Sequence, residues 1–125
     1  MPLDIVRISD ELEALDRYDE MDVSISVRRT DSPLLVAVAV AQANILGDRW
    51  WVSRVIVRNA EARGKGLGSI ALQRMLAVIG RISALPVYVC PGGYENNLEQ
   101  QFAFYLSHGF VSVADEPTML IWTRR

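Results

Sequence analysis

Cysteine is almost missing from this chain. Cys90 stands alone in 125 residues, so no disulfide within the chain can staple the fold. That usage suits a reducing compartment, and a cytoplasmic location is the expectation. No block of lysine or arginine occurs, and the formal net charge is −2. An extended nucleic-acid surface usually shows as a basic stripe, so nucleic acid is not an expected partner. Long apolar runs are missing too. The longest, LLVAVAVA at 34–41, is far short of the roughly 20 residues that cross a bilayer as a helix, so no membrane association is expected. The opening stretch MPLDIVRISDELEAL has Asp4 early and no apolar h-region, so it does not read as a secretory signal. No repeat, low-complexity tract or linker divides the sequence, and its length fits a single domain spanning 1–125. Half of the residues are hydrophobic, enough for a core without staples.

What is present is an ordered alternation of short patterns. LDIVRIS (3–9) reads as a strand. Asp10 with Glu13 fits a capping box opening a short helix that carries Leu12, Leu15 and Tyr18 on one side. DVSISVRR (22–29) alternates as a half-exposed strand, and TDSP (30–33) is a turn signal. LLVAVAVAQ (34–42) is apolar on both faces and predicts a central strand. NILGD (44–48) is a further turn, and WWVSRVIVR (50–58) a further strand, with Trp50 and Trp51 divided between its faces. A mostly apolar helix follows from about Gly66 to Ile79. ALPVYVC (84–90) is a strand, and PGGYENN (91–97) a loop. A second helix then places Leu98, Phe102, Tyr105 and Leu106 on one side, and Gly109 stands at its C′ position. FVSV (110–113) and TMLIWTR (118–124) close as two strands. The order β-α-β-β-β-α-β-α-β-β predicts an α/β class fold. Its mixed sheet is mostly antiparallel, with one parallel crossover at 50–90 and helices on its faces.

The chemistry concentrates where VIVRNAEARGKGLGS (55–69) turns from strand to helix. The first amides of a helix lack internal partners and sit in the positive end of its dipole. Glycines let an anion approach that backbone, and phosphate is its usual guest. Arg63 and Lys65 add charge. A Walker A loop is excluded because Gly66 follows Lys65 and no glycine stands five residues before Gly64. A dinucleotide fingerprint is weak, since Ser69 holds its third glycine position and residues 84–92 contain no acid.

ARGKGLGSIALQRML resembles motif A of the GNAT superfamily of N-acetyltransferases, [QR]-x-x-G-x-[GA], through Arg63, Gly66 and Gly68. FAFYLSHGF (102–110) is similar to that family's late helix-to-strand segment, through Phe104-Tyr105 and Gly109-Phe110. The order of elements matches as well. The resemblance implies direct transfer of an acetyl group from acetyl-coenzyme A to a primary amine of a small molecule or protein, with no metal. It implies that backbone amides of Arg63, Gly64, Lys65, Gly66, Leu67, Gly68 and Ser69 hold the pyrophosphate. Val55, Ile56 and Val57 would pair with the pantetheine arm, in a splay between the fourth and fifth strands. Tyr105 would be the general acid toward the leaving sulfur, and Asn97 a further cofactor contact. Residues 9–21 have room for one short helix where the family typically has two, so the acceptor site would be open or completed by a partner chain, the protein being a monomer or homodimer.

Several residues keep two readings. The acids Asp10, Glu11, Glu13, Asp16, Asp19, Glu20 and Asp22 are either a solvated helix and loop or a wall favouring a cationic acceptor. No acid lies in 50–58 or 84–90, so a general base would be Glu61, Glu95 or a water chain. His108 reads as a helix-end residue and Cys90 as a small apolar filler. A non-catalytic acyl-coenzyme A binding module of the same fold, or an unrelated nucleotide-binding protein, are the competing functions.

Overall fold

The computed structural model describes residues 3–57, 66–92 and 98–124. Five strands come first: β1 (Leu3–Arg7), β2 (Leu12–Tyr18), β3 (Asp22–Arg29), β4 (Leu35–Ala43) and β5 (Trp50–Val57). Helix α1 (Leu67–Ile82), β6 (Val87–Val89), α2 (Leu98–Leu106), β7 (Phe110–Val113) and β8 (Glu116–Trp122) follow. All strands form one sheet in the order β1-β2-β3-β4-β5-β6-β8-β7, in which β5 and β6 are the parallel pair and the other neighbours are antiparallel. The α/β class and the mixed sheet are as the sequence indicates, and β4 is central.

One element differs. The segment read as a first helix is strand β2. Its helical spacing (Leu12, Leu15, Tyr18) competes with an alternation that puts Leu12, Ala14, Asp16 and Tyr18 on one face, and that alternation requires a buried aspartate. Asp16 is fully buried. It is stable there because Arg74 of α1, 58 residues away, donates to both of its carboxylate oxygens, Nε to Oδ1 at 3.2 Å and Nη2 to Oδ2. The expected capping box gives way to a turn in which the Ser9 hydroxyl accepts from the amides of Glu11 (3.3 Å) and Leu12 (3.2 Å). The link from β2 to β3 is therefore only residues 19–21, closed by the Asp19 carboxylate on the amides of Met21 and Asp22 at 2.8 Å.

The register divides the sheet into two unlike faces. Val23, Ile25 and Val27 of β3 stand beside Ala41, Ala39 and Ala37 of β4. All six are fully buried beneath Ala71, Leu72, Met75, Val78 and Ile79 of α1. The alanines leave room for the helix, so close packing at this layer needs small side chains on one strand and branched ones on the next. Helix α2 lies on the same side, with Tyr105 edge-on to Phe110 at 5.3 Å. Of its expected apolar stripe only Tyr105 is buried, while Leu98 and Leu106 are about half exposed. Gly109 ends α2 with φ 90°, as expected of a C′ glycine, and its carbonyl accepts from Thr123 N at 2.9 Å. Trp50 donates to the Ser83 hydroxyl at 3.0 Å, and Arg124 reaches the carbonyls of Ser83 and Leu85, fixing the exit of α1 against the sheet.

Breaking the Asp16–Arg74 pair leaves a buried carboxylate uncompensated. Arg74→Ala is expected to lower unfolding free energy by about 3 kcal/mol, measured by urea denaturation. Replacing both residues by alanine should cost less than the sum of the two single changes.

Candidate active-site cleft

Strands β5 and β6 pair only at Trp50↔Val87 and Trp51↔Tyr88, then part. The parting coincides with a bulge. Val40 of β4 faces Arg54 and Ala41 faces Val52, so Ser53 is an extra residue on β5. A bulge bends its strand and sharpens the local twist, which carries the C-terminal half of β5 away from β6. β6 meanwhile joins β8 through Tyr88↔Ile121 and Val89↔Leu120. The opening is a cleft of about 540 Å³, within the usual range for a small-molecule site.

Its walls come from residues 52–57 of β5, Gly68 of α1, Val89 of β6 and residues 90–92 after it, and Gln100, Gln101, Phe104 and Tyr105 of α2. The loop after β6 is held to α2 by the Gly92 amide, which donates to the Gln101 side-chain oxygen at 3.0 Å. Along β5 the edge facing the cleft has no strand partner beyond Trp51 among the described residues. It is available to pair with an extended, amide-bearing ligand.

The two described glycines of the motif differ in what they require. Gly66 caps α1 with φ 74°, a left-handed conformation that side chains disfavour. Gly68 places the first turn on β5, where an added Cβ would make ordinary contact with Val57 Cγ2 at 3.4 Å and Phe104 Cζ at 3.8 Å. Among the described residues no side chain caps α1, and its first turn contains no acid, so the leading amides present a positive end toward an anion.

Tyr105 is buried, and desolvation pushes its pKa up to about 12. The phenol stays protonated near neutral pH and can act only as a donor to a nearby anion. His108 sits one turn on. Its Nε2 lies 2.9 Å from the Ser69 hydroxyl, its Nδ1 lies 3.5 Å from the Gln73 amide nitrogen, and its ring is edge-on to Phe104 at 5.0 Å. With Gln73 donating to Nδ1, the Nε2 proton goes to Ser69, whose own O–H is left free to donate.

Of the residues proposed from the sequence, Val55, Ile56, Val57, Gly68 and Tyr105 line the cleft. Gly66, Leu67 and Ser69 lie at the adjoining helix start, with the Leu67 side chain in the core. Arg63, Gly64, Lys65 and Asn97, with the candidate bases Glu61 and Glu95, fall outside the described residues. Sequence reasoning missed Arg54, Cys90, Gln100, Gln101 and the bulge at Ser53, for which no local pattern gives a signal. Cys90 is exposed at the cleft rather than filling the core. Of the acids at 10–22, none lines the cleft, and Arg54 is the charged residue among its described walls. Glu13 pairs with Arg28 at 2.5 Å, and Asp16 and Asp19 are used as described above. Among the described residues no group of three or more His, Cys, Asp or Glu could hold a metal ion, and no helix is long and apolar enough to cross a membrane.

No protein-family model matches the sequence, and no curated protein matches it. The fold, by contrast, has clear counterparts among solved structures: the protein has the fold of the GNAT superfamily of N-acetyltransferases. Escherichia coli ElaA is 25% identical with a TM-score of 0.59, covering 82% of this chain and 68% of its own. An acyl-CoA N-acyltransferase from Pseudomonas aeruginosa is 21% identical with a TM-score of 0.60, again covering 82% and 68%. Arabidopsis thaliana Naa50, solved with the bisubstrate analogue CoA-Ac-MVNAL, is 18% identical with a TM-score of 0.56, covering 78% and 69%. At these identities the likeness establishes the fold.

Burial holds the pKa of His108 below the usual histidine value. Its contribution to stability is therefore fully present above about pH 6.5, where both states are neutral. It is lost as pH falls and the unfolded chain takes up the proton first. Thermal melts from about pH 7.5 to 5.5 should show His108→Gln losing less stability than the wild type.

Proposed function

We propose that the protein is an N-acyltransferase that moves an acetyl group from acetyl-coenzyme A to an amine. The observation that carries this reading is one cleft bounded by three things: the unpaired edge of β5, the uncapped start of α1 and the buried tyrosine of α2. The described residues fit the co-substrate. The open helix end suits its diphosphate. The free β5 edge suits the amides of its pantetheine arm, and Val55, Val57 and Phe104 give that arm apolar walls.

Acetyl-coenzyme A supplies the activated acetyl group, and the amine nitrogen displaces the sulfur. Unpaired N–H groups of β5 are the donors at hand for the carbonyl oxygen as charge builds on it. The role of Tyr105 is sharper than that of a general acid. Burial makes the Tyr105 phenol a weaker acid than a free tyrosine, so full transfer of its proton to the departing sulfur is disfavoured. Tyr105 therefore donates a hydrogen bond to the departing sulfur and keeps its proton, and the proton gained by the thiol is the one the amine loses. Arg54 at the rim has a second effect, since a neighbouring cation disfavours the ammonium form and favours the nucleophilic free amine. The acceptor wall is not assigned to the acidic run at 10–22. The described cleft walls carry no carboxylate, and this favours one alternative, a binding module that holds acyl-coenzyme A without turnover.

Release of free coenzyme A across a panel of amines separates these readings. Turnover with any amine supports the enzyme, whereas tight binding of acetyl-coenzyme A with no release supports the module. Tyr105→Phe should lower kcat about tenfold to a hundredfold while changing KM for acetyl-coenzyme A little. An equal loss in binding and turnover would show that Tyr105 is structural.

A further inference from the structure

Both helices lie on one side of the sheet, and among the described residues nothing packs on the other. On that side the register places Ile5, Leu15, Val38, Val40, Ile56 and Trp51. Ile5 is 58% exposed and Ile56 38%, while Leu15 and Val38 between them are buried. The same face gathers cations. Arg7, Arg17, Arg28 and Arg54 point there by strand alternation, and Arg49 lies over the rings of Trp51 and Tyr88 at 5.7 and 4.7 Å. Against these five guanidiniums stand the carboxylates of Glu13, paired with Arg28, Asp48, 3.5 Å from Arg49, and Asp22, so Arg7, Arg17 and Arg54 carry the excess positive charge. Most other acids of the described residues stand in turns or under α1, so a chain of net charge −2 carries a basic, apolar sheet face.

We propose that this face docks an amphipathic helix of a partner protein, with leucine-like residues toward the sheet and acidic residues on its flanks. The charge on the face selects an acidic partner. Arginine with tryptophan and tyrosine is the composition of protein–protein contacts, where lysine is depleted, and all but one of the 13 basic residues here are arginine. A helix is the element that covers a sheet face. Crossing β2 to β5, at about 4.8 Å per strand and 1.5 Å of rise per residue, takes roughly 10–13 residues. A second copy docked about a two-fold axis would bring this arginine-rich face against itself, and a sheet face does not insert into lipid as an amphipathic helix does.

The test uses a fluorescein-labelled amphipathic helix of about 14 residues, with leucines on one side and flanking glutamates, and its counterpart with lysines for the glutamates. Anisotropy at low salt should show the acidic helix binding at least about tenfold more tightly than the basic one. Arg17→Glu combined with Arg54→Glu should weaken it by a similar factor, while Arg81→Glu, on the helix side, should leave it unchanged. Hydrogen exchange should slow along β2 to β5 in the complex. Four results would overturn the proposal: equal binding of the two peptides, an effect of Arg81→Glu as large as that of the double change, binding only to anionic phospholipid vesicles, or self-association without peptide binding. No acetyl-coenzyme A enters the assay, so its failure and that of the acyltransfer reading are separable.

Discussion

β5 is bound on both edges for two residues and then on one. Trp50 and Trp51 join β6 in the parallel crossover. From the bulge at Ser53 onward the strand keeps β4 and gives up β6. A strand edge left open inside a sheet normally invites closure. Here it stays open because β6 is only three residues long and is engaged by β8 on its other side. The cleft follows from that parting. It is a gap in hydrogen bonding before it is a pocket, and its walls inherit the backbone donors and acceptors that the missing pairing leaves over.

Helix α1 borders this gap, with Gly68 next to Val55, Val57 and Phe104. Three anchors set it. The alanine and β-branched layer beneath receives its apolar side. Arg74 reaches Asp16 on β2. Ser83 takes the Trp50 indole N–H where the helix exits. A fourth contact, His108 to Ser69, joins the first turn of α1 to the end of α2. The tyrosine and the helix start are thereby held in one rigid unit, as a site needs when its work is alignment.

Much of the site was legible from local chemistry. Gly66 and Gly109 have positive φ where sequence placed them at helix ends, and Tyr105 and Val55–Val57 meet at one cleft. Other features were not legible, for a common reason. Asp16 reads as a solvent residue until Arg74 arrives from 58 positions away. The helical spacing of Leu12, Leu15 and Tyr18 competes with the strand alternation through Asp16, and the strand forms. Residues 19–21 then join two strands directly, which leaves one face of the sheet without helical cover.

The sequence by itself determined the strands and helices from β3 onward, the glycine-started helix and the aromatic-tyrosine segment, because each depends on residues within a turn or two of one another. Tertiary structure alone decided which strand edges would part, which carboxylates would be neutralised and which face would gather arginines. Those outcomes depend on pairing register between distant segments, where a shift of one residue exchanges the two faces.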